Sequence, residues 1–234
     1  MKKIILSIFA LSFLSAVSIA QISLMPKFGI AFTDVKFKES PYEVVSEGTE
    51  TAEVKARLGL MGGLAVNIGV SELFSVQPEL MYIQKGFKLE TPNLPFKGDV
   101  RIDYLEIPIL AKFSVGDENK RGYFNLGPQV SFGLGGKTKI ESFSEERKGK
   151  VKFEEEPEFS NDEDFYFDNG FDFGIQAGGG FGVKAGPGLL TIDFRYSLGF
   201  GNLFDTPSGA DKDDFKSKNR MFATNIAYVI PLGQ

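Results

Sequence analysis

The chain has 234 residues, with 31 acidic against 26 basic side chains, a formal net charge of −5, and neither histidine nor cysteine. That acidic balance argues against a nucleic-acid partner, whose recognition needs a basic face. Without His there is no Ser-His-Asp nucleophile system, no His-ligated metal and no commonest general base, so the expectation is a protein that is not an enzyme and carries no cofactor.

The sequence opens "MKKIILSIFALSFLSAVSIAQ", with Lys2 and Lys3 ahead of a mostly apolar run from Ile4 to Val17 and a small-x-small site, Ser18-Ile19-Ala20, before Gln21. Residues 1–20 are therefore expected to be a cleaved signal peptide, leaving a single domain over 21–234. The apolar run is short for a spanning helix of about 20 residues, and nothing later is long enough. If the mature chain crosses a membrane, it does so with strands.

Eight segments rich in β-branched and aromatic residues follow, over 24–36, 55–70, 73–88, 100–115, 122–135, 170–184, 189–202 and 219–232. Short links alternate strictly with long ones at 37–54, 89–99, 136–169 and 203–218. In an up-and-down meander this puts the long loops at one end, and the short turns and both termini at the other. That asymmetry belongs to outer-membrane barrels, with the loops extracellular and the turns periplasmic.

Side-chain volume decides which face is wet. The polar parity carries small residues, such as Gly59, Gly63, Ala65, Asn67, Gly127, Ser131, Gly174, Gly178 and Gly180, while the other carries Leu58, Leu60, Leu64, Leu80, Ile109, Phe113, Phe124, Phe173, Ile175, Phe222 and Ile226. An eight-stranded lumen is only just wide enough for side chains to fill it. The bulky face must then look outward, to lipid. A soluble lipocalin-like barrel would need the parity inverted. The expected fold is all-β, an eight-stranded antiparallel up-and-down transmembrane β-barrel.

The inner face mixes Glu79, Glu106, Asp172 and Asp193 with Lys27, Arg57, Lys112 and Arg195. Such charges must pair in a narrow lumen, so a salt-bridged filling is expected rather than an ion or proton pathway. "VQPELMY", "EIPIL" and "NLGPQV" place Pro78, Pro108 and Pro128 inside three consecutive strands, where each removes a ladder donor. They are expected at a similar height, marking a weakened or bulged band; a lateral docking patch is the alternative.

The link over 136–169 holds eleven acids and six bases, and reads as a solvated, flexible acidic loop. Its run "SNDEDFYFDNG" gathers Asp162, Glu163, Asp164 and Asp168 as candidate metal ligands. Oxygen donors of this kind suit calcium, but the fixed glycine and terminal bidentate Glu of a calcium loop are missing. Gly179, Gly180 and Gly182 in "QAGGGFG" have phosphate-loop spacing with no helix to follow, and fit the lumen instead.

Taken together, "FSVQPELMYIQKGF", "IDYLEIPILAKF", "YFNLGPQVSFGLGG", "FDFGIQAGGGFGV", "IDFRYSLGFGNL" and "KNRMFATNIAYVI" resemble the PorT-like outer-membrane β-barrel family common in Bacteroidetes. The likeness implies an eight-stranded outer-membrane barrel and assigns no catalytic residue. The family's namesake is associated with assembly of a secretion system, a role that fold alone does not transfer. The ending "YVIPLGQ" departs from the usual terminal aromatic, and leaves closure of the last strand on the first as an open question. The partners expected are outer-membrane lipid and other envelope proteins. The chain is read as a subunit or scaffold of an envelope assembly, with a stand-alone adhesin, binder or membrane-stabilising barrel as the alternative and a narrow pore behind both.

Overall fold

Strict alternation of lumen-sized and bulky side chains is what a two-sided strand requires, and it is realised along most of the chain. A computed structural model describes residues 21–37, 43–44, 50–51, 53–91, 96–142, 145–154, 164–203 and 217–232. In chain order the strands are β1 (Ile22–Phe37), β2 (Glu43–Val44), β3 (Glu50–Thr51), β4 (Glu53–Gly69), β5 (Phe74–Glu90), β6 (Phe96–Gly116), β7 (Lys120–Ser142), β8 (Glu145–Lys152), β9 (Phe165–Tyr166), β10 (Phe171–Ala185), β11 (Gly188–Gly199) and β12 (Ser217–Leu232). Among the described residues no helix is long and apolar enough to cross a membrane.

Eight of these strands, β1, β4, β5, β6, β7, β10, β11 and β12, pair antiparallel in chain order and close into a ring. Closure runs in register along β1 and β12, from Ile22 opposite Leu232 to Phe37 opposite Ser217, so Pro231 does not prevent the last strand from joining the first. The two-residue turn between β10 and β11 holds Gly186 at φ 62 ahead of Pro187. A positive φ at the first central residue matches a type II′ hairpin, whose twist suits the flanking strands.

The outer face is apolar and uncovered: Phe28 is 65% exposed, Phe113 54%, Phe173 52% and Ile226 55%. From Phe222 to Leu232 a strand rise of roughly 3.3 Å per residue and a tilt near 40° give a belt about 25 Å tall, the thickness of an outer-membrane apolar band. Aromatic pairs sit at both margins, with Phe74–Phe113 centroids 5.1 Å apart near the turns and Phe132–Phe171 at 5.5 Å and Phe173–Phe200 at 5.7 Å near the long links. Just beyond that second margin, outward charges pair as Asp34–Arg220 (2.7 Å) and Arg101–Asp103 (3.1 Å). The belt ends where charge begins.

Two expectations need correcting. The link over 136–169 is not one flexible loop: β7 runs on to Ser142 and pairs with β8 from Gly136 opposite Val151 to Ser142 opposite Glu145. β9 then pairs parallel to β8. The second concerns the proline band, expected to be weakened or bulged: it is weakened by missing pairs and carries no bulge. Ladder pairs are missing where Pro78 faces Val66, where Pro108 faces Glu79 and where Pro128 faces Ile109, yet the register resumes unchanged beyond each gap. A missing N–H deletes a bond without inserting a residue. True register shifts lie elsewhere, between Ala56 and Met61 and between Asp103 and Tyr104.

Candidate functional site

The lumen carries the chemistry, in three levels. At mid-height, Arg195 of β11 is buried and donates to both oxygens of Glu79 across the barrel, at 2.7 and 2.8 Å. It also reaches Asp193 Oδ1 (2.5 Å) and Gln176 Oε1 (2.8 Å). Glu79 further accepts from Lys27 Nζ (3.0 Å) and Gln77 Nε2 (2.5 Å), and Asp193 from the amides of Asn125 (3.3 Å) and Asn225 (3.2 Å). Both carboxylates are saturated, which is the condition under which buried charge is tolerated. Glutamine extends the net sideways, from Gln176 to Gln129 (3.0 Å) and on to Ser197 (2.6 Å).

Glycine makes room for this. A Cβ on Gly178 would lie 2.8 Å from Arg195 Cγ and 2.4 Å from the Phe194 carbonyl oxygen, and one on Gly180 would lie 2.4 Å from Tyr123 Oη. The small parity read from the sequence is thus space for arginine and tyrosine.

Towards the long links a second charged pair, Lys85–Glu106, is buried and braced by Ser131 Oγ on Glu106 (2.8 Å). Asp172 accepts from Asn219 Nδ2 (3.1 Å) and from the Gly201 N–H (2.8 Å). Above them the lumen turns apolar: Val35, Phe87, Leu89, Val100, Ile102, Tyr104, Val151, Phe167 and Leu203 form one buried cluster, with Phe153 and Phe165 packed on it. Ring centroids 5.2 to 6.5 Å apart link Phe87, Phe165, Phe167, Phe153 and Tyr104. Val151 and Phe153 enter from β8 and its continuation, so the folded extension also stoppers the barrel. At the opposite end a cavity of about 480 Å³ opens between the short turns, with Met25, Lys112, Tyr123 and Thr191 among its lining residues.

The eight lumen candidates do not form one network. Lys27, Glu79, Asp193 and Arg195 are brought together, and Lys112 joins through Gln77 (3.0 Å). Glu106 and Asp172 sit apart, with the partners given above. Arg57 is the exception: it lies beyond the register shift in β4, near the long links, and donates to Asp99 (2.6 Å) rather than to the central carboxylates. Lys85 was missed because it stands in "IQKGF", where the charge reads as the end of a strand. Its phase with Met81 and Ile83 was the available signal.

Of the wall prolines, Pro78 faces Ile109 in the ladder and Ile109 lies opposite Pro128, so the three residues share one row, and Pro108 is the next residue along. Pro108 turns inward while Pro78 and Pro128 turn outward.

The acidic candidates do not assemble a metal centre. Asp162 and Glu163 lie outside the described residues. Asp164 accepts the Lys150 N–H (2.8 Å) and pairs with Lys152 (3.0 Å), and these two hold its carboxyl below the ordinary range. Asp168 is exposed. Among the described residues no group of three or more His, Cys, Asp or Glu side chains is placed to hold a metal ion.

Comparison with known families matches residues 19–205 to the outer membrane protein beta-barrel domain. The chain belongs to that family. As an outer-membrane barrel it is similar in fold to solved structures at low identity. Ail, the attachment invasion locus protein of Yersinia pestis, is 16% identical, with 90% of this chain and 99% of that chain covered and a TM-score of 0.38. The outer membrane protein OprG from Pseudomonas aeruginosa is 14% identical, with 92% and 98% covered and a TM-score of 0.46. No curated protein matches the chain.

Proposed function

We propose that this outer-membrane barrel is a non-conducting, non-enzymatic anchor that presents its β7–β8 extension as a docking element of a larger cell-envelope assembly. One observation carries the reading: the extension is both a folded sheet above the apolar belt and, through Val151 and Phe153, part of the stopper of the lumen. A saturated ion network and an aromatic stopper stand in series along the lumen, which disfavours a pore. What remains for it to offer are surfaces. The long links are assigned to the cell exterior and the short turns to the periplasm, following the asymmetry of such barrels.

The acidic excess of 136–169 favours a second reading, a stand-alone surface binder. Purification of a tagged copy from native outer membrane in mild detergent separates the two. Stoichiometric companions, lost when residues 137–150 are replaced by a short Gly-Ser link, support the first reading. A lone monomer in several mild detergents supports the second.

A further inference from the structure

The cavity between the short turns has a cation at its floor that the central network does not neutralise. Lys112 is 6% exposed, and among the described residues it is the buried cation with no carboxylate within ion-pair distance: Lys27 and Arg195 share Glu79, and Lys85 has Glu106. Its recorded partners are neutral, the Gln77 Oε1 it donates to at 3.0 Å and the Tyr123 ring 3.9 Å below its Nζ. Gln77 Oε1 is itself shared with Asn67 Nδ2 (3.3 Å). Around Lys112 the mid-lumen group holds three cations, Lys27, Lys112 and Arg195, against two carboxylates, Glu79 and Asp193, both already saturated.

An uncompensated buried ammonium is costly, and the cell of space beside this one is open to solvent from the turn end. The cavity has the volume of a small-ligand site and carries Ser23, Asn67, Ser75 and Thr191 beside the lysine. Glu72, Glu118 and Arg121 stand at the mouth, exposed and solvated. The stopper at the far end makes the turn end the way in.

We infer that the turn-end cavity binds a compact monoanion, a halide or a short carboxylate, on the Lys112 ammonium. The competing arrangement is water alone, bridging Lys112 to the buried side-chain Oδ1 of Asn125, its neighbour on β7, which has no hydrogen-bond partner of its own. Binding here is independent of whether the barrel joins an assembly.

The test is ³⁵Cl NMR line broadening on the detergent-solubilised full chain, titrated with sodium acetate. Expected for the unaltered protein is a saturable excess broadening that acetate displaces. It should weaken about tenfold or more in Lys112→Met, as loss of one charge-assisted contact implies, and survive in Lys112→Arg. A halide-only site would keep its broadening in acetate while still losing it in Lys112→Met. Absence of a saturable component in the unaltered protein overturns the inference whether or not any variant folds. So does broadening that Lys112→Met leaves unchanged.

Discussion

Arg195 and Glu79, 116 positions apart in the chain, meet across the lumen in a two-pronged pair that ties β11 to β5. Neither has solvent to fall back on. Arg195→Ala leaves Glu79 with Lys27 and the Gln77 amide and Asp193 with two amides and no cation, so it should cost about 3–5 kcal/mol of stability. Urea unfolding in micelles, followed by the shift in gel mobility between folded and unfolded barrel, reads this directly. Replacing the pair together, Arg195→Met with Glu79→Leu, should recover little of the loss, because Lys27 then loses its carboxylate and Asp193 its guanidinium, both buried. Arg195→Lys should not restore full stability either, since an ammonium cannot reproduce the fork.

Gly178 lies under the Arg195 side chain, where an added methyl has no room, whereas nothing stands within 4 Å of a Cβ on Gly122. Gly178→Ala should therefore destabilise by about 1–3 kcal/mol, the cost of overpacking. Gly122→Ala should be close to neutral in the same unfolding assay. Equal effects at the two positions would remove the argument that the glycines are there for space.

Two closures stand in series along the lumen, the ion network and the aromatic stopper. Planar-bilayer recordings of the unaltered protein should show no steady open current, and Arg195→Ala should remain silent because the stopper is untouched. A steady current that appears in Arg195→Ala would mean that the ring cluster of Phe87, Phe153 and Phe167 is not a seal.

The extension above the membrane depends on exposed ion pairs and so on pH. Lys139, between Glu141 and Glu146, is raised above its ordinary value, and Glu146 is lowered, chiefly by Lys139 and then Lys148. A depressed carboxylate contributes stability above its ordinary value of 4.5 and loses it as pH falls through its lower folded value; the raised lysine contributes below 10.5 and loses it only above. The extension should therefore be most ordered between about pH 4.5 and 10.5. A ¹³C carboxyl titration should put the midpoints of Glu146 and Asp164 below those of matched peptides. Midpoints at the peptide values would deny these pairs any part in holding β8.

The sequence made the barrel legible because lipid and lumen impose opposite volume rules on alternate residues, and strand after strand obeys them. What it hid lies where those rules change. On β5 the inward side chains go from Gln77 and Glu79 to Phe87 and Leu89, while the outward ones go from Leu80 and Tyr82 to Gln84 and Lys88. The sense of the alternation reverses as the strand leaves the membrane. Above that height the inward face is the apolar one, as in a water-soluble sheet, and for that reason the stopper was not foreseen. Pairing was harder still to read. "KTKIES" and "EERKGKVK" have the charge of a loop, and become strands because the free edge of β7 above Phe132 is offered to β8.

The prolines divide the circumference of the wall unequally. The described ladders from β7 through β10 and β11 to β12, and the β1–β4 ladder, are continuous, whereas β12–β1, β4–β5, β5–β6 and β6–β7 each lack pairs, the first of them where Pro26 faces Tyr228. One side of the cylinder is fully laddered, while three consecutive gaps thin the backbone hydrogen bonding over β4 to β7. Out-of-round distortion under lateral membrane pressure should concentrate on β4 to β7, and the last of these continues upward into the extension. A squeeze on that wall would then reach the element above it through β7.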